Sequence, residues 1–172
     1  VLGSLYASRS RERAADGVKS VIAADAVGQF GDQNIAEALQ RMPAVTISRA
    51  EGEGNFVSVR GLSPGFNQIT LNGMEIGTDG DSRGTSLQFV GTNMLEAVEV
   101  TKTVTPDMSA SAMAGQINIE SASAFRKGEN SLTITAEGSY QDDAAEVSPK
   151  ITASGTWLNA DETFGIAYAL NY

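Results

Sequence analysis

The stretch Asn34–Val45, which reads NIAEALQRMPAV, contains the clearest helix signal in the chain. Asn34 followed three residues later by Glu37 resembles a capping box, in which the two side chains satisfy free backbone N–H groups at the start of a helix. One helical face then carries the apolar residues Ile35, Leu39 and Met42. Because Pro43 cannot continue a helix, we predict a short helix over Asp32–Met42.

Extended segments follow this helix. Apolar and polar residues alternate over Val45–Arg49 and over Phe56–Arg60, which predicts two strands that each bury one face. The glycine-rich residues between them, Glu51–Asn55, predict a loop.

A dipeptide suited to a tight turn, Asn72-Gly73, separates the short apolar runs Ile69–Leu71 and Met74–Ile76. Asn and Gly tolerate the positive φ angles of a type I′ turn, so these residues predict a β-hairpin. Farther along, alternation predicts strands at Ala97–Lys102 and Ile117–Ile119. Short strands, turns and few helices together indicate an α+β domain.

Charge and composition exclude several kinds of function. The chain has a net charge of -9, which argues against a general affinity for nucleic acid or anionic lipid headgroups. It contains no histidine and no cysteine, so the commonest general base and the usual zinc ligands are missing. We therefore expect no enzyme activity, no metal site and no cofactor.

The last part of the chain follows a different pattern from about Gly128 onward. Residues 1–127 hold 11 Lys and Arg against 14 Asp and Glu, whereas residues 129–172 hold one Lys against seven acids. Three runs of strict alternation predict three consecutive strands, each close to the length that a tilted strand needs to cross a bilayer. Their aromatic residues lie near the ends, where the girdles of membrane barrels form: Tyr140, Trp157, Phe164 and Tyr172. A soluble antiparallel meander is the alternative, since alternation does not distinguish lipid from protein contacts.

Several blocks in order are similar to the plug domain of TonB-dependent receptors, a family of outer-membrane transporters. These are Asn34–Val45, Val57–Gly61, Ile69–Gly73, Leu95–Lys102 and Ala114–Ile119. The amino-acid sequence of these blocks most resembles a proteobacterial subfamily associated with saccharide uptake, although Ala44 occupies the position where that subfamily has glycine. The resemblance implies that residues 1–127 form the plug and residues 128–172 the first strands of a 22-stranded barrel in the outer membrane.

The family also implies partners and energy coupling. Such a receptor binds a scarce nutrient, here expected to be an oligosaccharide, and imports it when the inner-membrane TonB complex pulls on the plug. The TonB-binding box is expected upstream and cut off from this chain, which we take to be a fragment that starts at a processed or truncated end. Outer-membrane lipid would surround the barrel, and a surface lipoprotein is a further partner in some relatives. A siderophore, cobalamin or peptide receptor of the same family and a non-transporting surface β-protein or adhesin are the alternatives.

Three plug loops carry the ligand contacts in this family, and they correspond to Glu53–Phe56, Ser63–Gln68 and Thr78–Ser86. Aromatic rings stack on the C–H faces of sugars, while amides and charges hydrogen-bond their hydroxyls. We therefore predict ligand contacts at Asn55, Phe56, Phe66, Asn67, Asp81 and Arg83. The alternative is that the two phenylalanines belong to the core and the charges are solvated loop tips.

Three further charged residues, Arg60, Lys102 and Glu99, match positions where the resemblance implies contacts between plug and barrel. Charge pairs in a wet lumen can be broken at a cost of about 1 kcal/mol each, which suits a movable plug. A local pair of Arg60 with Glu99 or Glu75 is the alternative.

Overall fold

The computed structural model describes residues 2–23, 35–50, 53–77, 84–87, 90, 92–141 and 146–171. The chain divides into two compact units, Val1–Ser121 and Ala122–Tyr172. None of the described helices is long and apolar enough to cross a membrane.

The first unit combines two helices with two sheets. Its helices are α1 (Leu2–Ala14) and α2 (Ile35–Leu39). Its strands are β1 (Lys19–Ala23), β2 (Val45–Ala50), β3 (Glu53–Val59), β4 (Asn67–Leu71), β5 (Met74–Glu75), β6 (Leu95–Thr101) and β7 (Gly115–Ser121), with 3₁₀ turns at Pro64–Phe66 and Thr92–Met94. The order in the larger sheet is β1-β6-β7-β4-β5, and β2 and β3 form a separate hairpin.

The larger sheet is mixed. β4 and β7 run parallel, while every other neighbouring pair in that sheet is antiparallel. Alternate residues of β6 and β7 therefore point to opposite faces. One face carries Val98, Val100, Ile117 and Ile119, and the other carries Glu99, Asn118 and Glu120.

The apolar face of this sheet forms the core with α2 and the β2–β3 hairpin. The core brings together Ile35, Leu39, Val57, Val59, Val98, Val100, Ile117 and Ile119, which are all fully buried. Burial of each such side chain contributes about 1.5–3 kcal/mol to stability. The apolar positions that suggested the helix, Ile35, Leu39 and Met42, are all buried, although the helix ends at Leu39 and continues as a turn. Residues 32–34 of the predicted helix lie outside the described residues.

The Asn72-Gly73 hairpin is confirmed. The φ angles are 51° at Asn72 and 82° at Gly73, both positive as a type I′ turn needs. The Asn72 side chain also holds the end of β7, since its Oδ1 accepts the Ser121 N–H at 3.0 Å and its Nδ2 donates to Ser121 Oγ at 2.9 Å. The turn thus fixes the last residue of the first unit.

Both ends of the strand predicted at Phe56–Arg60 were wrong. Glu53–Asn55, expected in a loop, belong to β3, where Gly54 lies opposite Arg49 across a bulge in the β2–β3 pairing. At the other end, Arg60 is not a strand residue: it has a φ of 55° and lies in the turn that follows β3. The alternation does not reveal the bulge near the start of β3, nor the left-handed backbone that ends the strand before Arg60.

The second unit begins with α3 (Ala124–Lys127) and continues with β8 (Ser131–Gln141), β9 (Glu146–Leu158) and β10 (Gly165–Asn171). The three strands form an antiparallel sheet in the order β10-β9-β8. On one face, Leu132 and Tyr168 lie opposite Gly155, and Ile134 and Leu170 lie opposite Ala153. Large apolar side chains thus flank small central ones, and many are exposed, with Leu132 at 63% and Leu170 at 69%.

The opposite face of this sheet is rich in hydroxyls and meets α3. Thr156 is buried there, and its Oγ1 donates to the Glu129 carbonyl at 2.9 Å. α3 lies so close to β10 that a Cβ added at Gly165 would be 2.9 Å from Ala124 Cβ. Gly165 therefore allows the helix to pack on the sheet.

Candidate functional site

A cleft of about 290 Å³ lies in the first unit, where β4 begins. Its walls come from the start of β4, the β5 strand and the segment before β7. The lining residues are Gly65, Phe66, Asn67, Gln68, Ile69, Glu75, Ile76, Thr85, Ala110, Ser111 and Met113. This mixture of one aromatic ring, amides, hydroxyls and apolar side chains is typical of small-molecule sites.

Local backbone bonds place Phe66 and Asn67 in the cleft. The Phe66 N–H donates to the Ser63 carbonyl at 2.9 Å, which closes the 3₁₀ turn that Pro64 begins. The Phe66 carbonyl accepts the Ala114 N–H at 2.9 Å, which joins this turn to the segment before β7. As a result Phe66 is 37% exposed, whereas Asn67 is only 7% exposed.

Asn67 has an incomplete set of hydrogen bonds. Its Nδ2 donates to the Val57 carbonyl at 2.6 Å, but its buried Oδ1 has no partner. A buried carbonyl oxygen without a donor costs about 1–3 kcal/mol. Asn67, which lines the cleft, therefore carries a buried acceptor that forms no hydrogen bond with the described residues.

The other predicted ligand residues have different surroundings. Asn55 lies in β3, where its carbonyl accepts the Leu87 N–H at 3.0 Å and its buried Oδ1 has no partner. The half-buried ring of Phe56 lies against Gly84, where an added Cβ would be 3.2 Å from the ring. Asp81 and Arg83 lie outside the described residues. Of the six predicted residues, the structure thus brings Phe66 and Asn67 together in the cleft.

Some residues of the cleft were not predicted as ligand contacts. Thr85 lines it and lies within the predicted loop Thr78–Ser86, Glu75 also lines it, and Ser111 and Met113 belong to a stretch without apolar periodicity. The predicted hairpin places β5 beside β4, so Glu75 could have been found from the hairpin. Ser111 and Met113 could not, since nothing near them in the sequence indicates that they meet β4.

Two of the three charged residues predicted to contact the barrel, Glu99 and Lys102, have side-chain partners within the first unit. The Glu99 carboxylate lies 3.0 Å from Lys19 Nζ and 3.5 Å from Arg11 Nη1. Arg11 Nη1 also donates to Glu120 Oε2 at 2.9 Å, and this hydrogen bond with Glu120 raises the pKa of Arg11. α1 is thereby joined to the polar face of the sheet.

Lys102 is nearly buried, at 6% exposure, and its Nζ donates to Ser20 Oγ at 2.9 Å. Burial lowers the pKa of Lys102, an effect that the nearby Glu12 carboxylate opposes and Arg60 strengthens. Arg60 itself is exposed in its turn, and in the described part of the chain it forms no ion pair. A local Arg60–Glu99 pair is therefore not what the structure contains.

In the described ranges, no group of three or more acidic side chains could hold a metal ion. The chemistry that these residues offer is hydrogen bonding and ring stacking in the cleft, together with ion pairing around Glu99.

Residues 11–116 match the family model described as TonB-dependent Receptor Plug Domain. No curated protein sequence matches the chain significantly.

Three solved structures have a similar fold. The unliganded ferric citrate transporter FecA has a TM-score of 0.75 at 19% identity, and the match covers 96% of this chain and 26% of FecA. The siderophore receptor PirA from Acinetobacter baumannii has a TM-score of 0.66 at 22% identity, and the match covers 94% of this chain and 25% of PirA. The Serratia marcescens hemophore receptor HasR was solved as a double mutant with its hemophore HasA and heme. It has a TM-score of 0.69 at 17% identity, and the match covers 91% of this chain and 24% of HasR. The chain thus spans about a quarter of the length of these structures, and at such identities the likeness concerns the fold.

Proposed function

The chain belongs to the plug-domain family of TonB-dependent receptors, and from this premise we propose that it is the plug and the first wall strands of an outer-membrane nutrient importer. In this proposal residues 1–127 form the plug, and residues 128–172 are the first strands of a 22-stranded barrel that surrounds it in the outer membrane. Such a receptor binds a nutrient and releases it to the periplasm when the plug rearranges, without catalysis. Energy would come from the TonB complex through a segment upstream of this chain.

The second unit supports the barrel part of the proposal. Leu132, Ile134, Ile151 and Ile166 are between 45% and 67% exposed, so they are not part of a buried core. They share the face that would contact lipid, whereas the opposite face carries hydroxyls suited to a wet lumen. Trp157 and Phe164, whose rings meet edge to face at 6.2 Å, lie near the strand ends as aromatic girdles do.

The cleft supports an uncharged, hydroxyl-rich cargo, which we propose to be an oligosaccharide. Phe66 offers a ring for stacking, and the unsatisfied Oδ1 of Asn67 is the observation that carries the argument, since a sugar hydroxyl can donate to it. Among the described lining residues, Glu75 is the one charged side chain. An acidic wall disfavours anionic ligands.

A ferric chelate is the second candidate. FecA is described as a ferric citrate transporter and PirA as a siderophore receptor, which makes this class the natural alternative for a protein of the same fold. Arg83 and the absent barrel loops would then have to supply positive charge.

Arg60 remains our candidate for the contact with the barrel, because it has no ion-pair partner among the described residues. We propose that Glu99 and Lys102 contribute indirectly, since they hold the neighbouring strands β1 and β6 in place. A surface lipoprotein that caps the barrel remains part of the proposal as a partner.

Uptake measurements test the cargo. Cells with and without the full-length protein are given labelled oligosaccharide or labelled ferric siderophore, with the proton gradient intact or collapsed. We expect gradient-dependent accumulation of the oligosaccharide. Accumulation of the siderophore alone would replace the cargo assignment, and no difference for either compound would refute nutrient import.

Phe66→Ala tests the cleft within the same assay. A nucleic-acid base stacked on an aromatic ring is worth about 1–3 kcal/mol, and a loss in this range at a sugar would raise the half-saturating oligosaccharide concentration by about fivefold or more. Phe125→Ala is the matched control, since Phe125 is an exposed phenylalanine of the second unit that does not line the cleft. Equal uptake by both variants at equal protein abundance would remove Phe66 from the site.

A further inference from the structure

A second groove, of about 430 Å³, lies beside β1. It shares no lining residue with the ligand cleft. One wall is formed by four consecutive residues of β1, Lys19–Ile22, and the other by Arg41, Met42 and Pro43. β1 pairs with β6 on one side and is the end strand of the larger sheet among the described strands. The groove therefore follows the outer edge of a sheet.

The outer edge of β1 is covered by a side chain. The Val21 N–H donates to Glu12 Oε1 at 2.8 Å, so this edge amide bonds to α1 where a neighbouring strand would otherwise pair. Exposed strand edges readily accept another strand, and proteins cover them to prevent it. Glu12 has the position of such a cover.

The last turn of α1 makes polar contacts with the sheet. Arg11 contacts Glu99 and Glu120, and Glu12 contacts the edge of β1. Nearer its start the helix is open to solvent, with Leu5 42% and Tyr6 72% exposed. Ion pairs at partly exposed sites are weak, so this turn can detach at modest cost.

β1 has its own attachment, which does not depend on α1. The Lys102 N–H donates to the Val18 carbonyl at 2.8 Å, and the Val18 N–H donates to Thr103 Oγ1 at 2.9 Å. Gly17 lies directly before this point and packs closely on Thr103, where an added Cβ would be 2.8 Å from Thr103 Cβ. The helix can therefore leave while β1 stays paired with β6.

We infer that the groove beside β1 is a docking site for an extended acidic and apolar peptide segment, which adds to β1 as a strand and displaces Glu12. Its backbone carbonyl would take the Val21 N–H, and an acidic side chain would replace the Glu12 carboxylate. Without Glu12 the groove is lined by the cations Lys19 and Arg41, and Lys102 hydrogen-bonds its wall residue Ser20. The facing carboxylate is Glu99, 3.0 Å from Lys19 Nζ, so the local charge stays positive and favours an acidic partner. Ile22, Met42 and Pro43 provide an apolar wall for the side chains between.

A labelled peptide of about eight residues with alternating valine and glutamate is a suitable probe, since it is longer than β1 and matches both the charge and the apolar wall. Its binding to the full-length protein in detergent is measured by fluorescence anisotropy. Because Glu12 competes for the Val21 N–H, Glu12→Ala should tighten binding by about tenfold or more. Asp16→Ala, which removes the same charge from an exposed position nearby, should bind like the wild type.

Two further peptides separate strand addition from charge attraction alone. An N-methylated copy of the glutamate peptide cannot pair along its backbone and should bind weakly, and a copy with lysine in place of glutamate should also bind weakly. Bound peptide should slow amide exchange in Lys19–Ala23. Equal binding by Glu12→Ala and Asp16→Ala, or undiminished binding of the N-methylated peptide, would overturn the inference.

Glu12→Gln provides a second variant, which keeps an acceptor for the Val21 N–H but loses the charge, and it should give a smaller gain than Glu12→Ala. A gain as large as that of Glu12→Ala would contradict competition for the N–H. The inference does not depend on nutrient import, so a negative uptake result leaves it standing, and a negative peptide result leaves the proposed importer standing.

Discussion

Gly115, the first residue of β7, lies where a side chain would collide with fixed backbone. An added Cβ would be 2.8 Å from the Thr101 carbonyl oxygen and 3.3 Å from Val59 Cγ1. Thr101 is the last residue of β6 and pairs with β7, so its carbonyl cannot move away without loss of pairing. The φ of 153° adds strain for any residue with a Cβ.

These contacts set the magnitude for Gly115→Ala. Overpacking costs about 1–3 kcal/mol and an unfavourable φ about 1 kcal/mol more, so we expect the first unit to lose about 3 kcal/mol of stability. Amides of β6 and β7 that exchange through opening of this unit should then exchange about 100-fold faster. Hydrogen–deuterium exchange with mass spectrometry on the full-length protein measures this change.

Gly77→Ala is the matched control, because an added Cβ at Gly77 meets nothing within 4 Å. It should change exchange in β6 and β7 by less than about threefold, since substitutions away from packed sites fall within about 0.5 kcal/mol. The same exchange rates in the two variants would refute the steric argument for Gly115.

Three other changes have defined outcomes. Burial lowers the pKa of Lys102 in the folded protein, so the unfolded chain binds a proton at Lys102 more tightly than the folded one. The free energy of unfolding should therefore rise as pH increases from the lowered pKa towards 10.5, the ordinary pKa of lysine. Pulse proteolysis across the alkaline range measures this rise, and Lys102→Met should abolish it. Charge reversal at Arg60 should loosen the plug and raise permeability to large antibiotics, and unchanged permeability would count against its contact with the barrel. Gly165→Val should detach α3, because an added Cβ would be 2.9 Å from Ala124 Cβ, and faster protease cleavage in α3 would report it; Gly138→Val, with free space around it, should leave cleavage unchanged.

Local signals in the sequence predicted much of the fold. The type I′ turn at Asn72-Gly73 depends only on which residues tolerate positive φ, and it was confirmed. The alternation from about Gly128 onward likewise predicted three consecutive strands, and the structure contains β8, β9 and β10 there. Such elements can be predicted from the sequence because the residues that determine them are neighbours in the chain.

Other elements depend on distant partners and were missed. α1 has no apolar stripe, and the contacts that hold its last turn join Arg11 to Glu120 and Glu12 to Val21. Its sequence therefore lacks the periodicity that reveals an amphipathic helix. β1 was also missed, because a five-residue strand gains its stability from pairing with β6, which lies about 75 residues later.

The candidate site was predicted in part for the same reason. Phe66 and Asn67 are neighbours in the chain and come to the cleft together, as their shared loop suggested. Ser111 and Met113 join them through the hydrogen bond between the Ala114 N–H and the Phe66 carbonyl and through the pairing of β4 with β7, which are long-range contacts. The burial of Asn67, and hence its unsatisfied oxygen, depends on Val57 and could not be inferred from composition.

The side chain of Asn72 gives the hairpin a mechanical role besides reversing the chain. The Asn72 side chain forms hydrogen bonds with both the N–H and the hydroxyl of Ser121. A pulling force applied to the chain at residue 122 would therefore act on the β4–β5 turn before it acts on the rest of β7. Glycine at position 72 would keep the same bend but release that grip. The last residues of β7 would then separate one at a time under such a force, although the conformation of the turn would be unchanged.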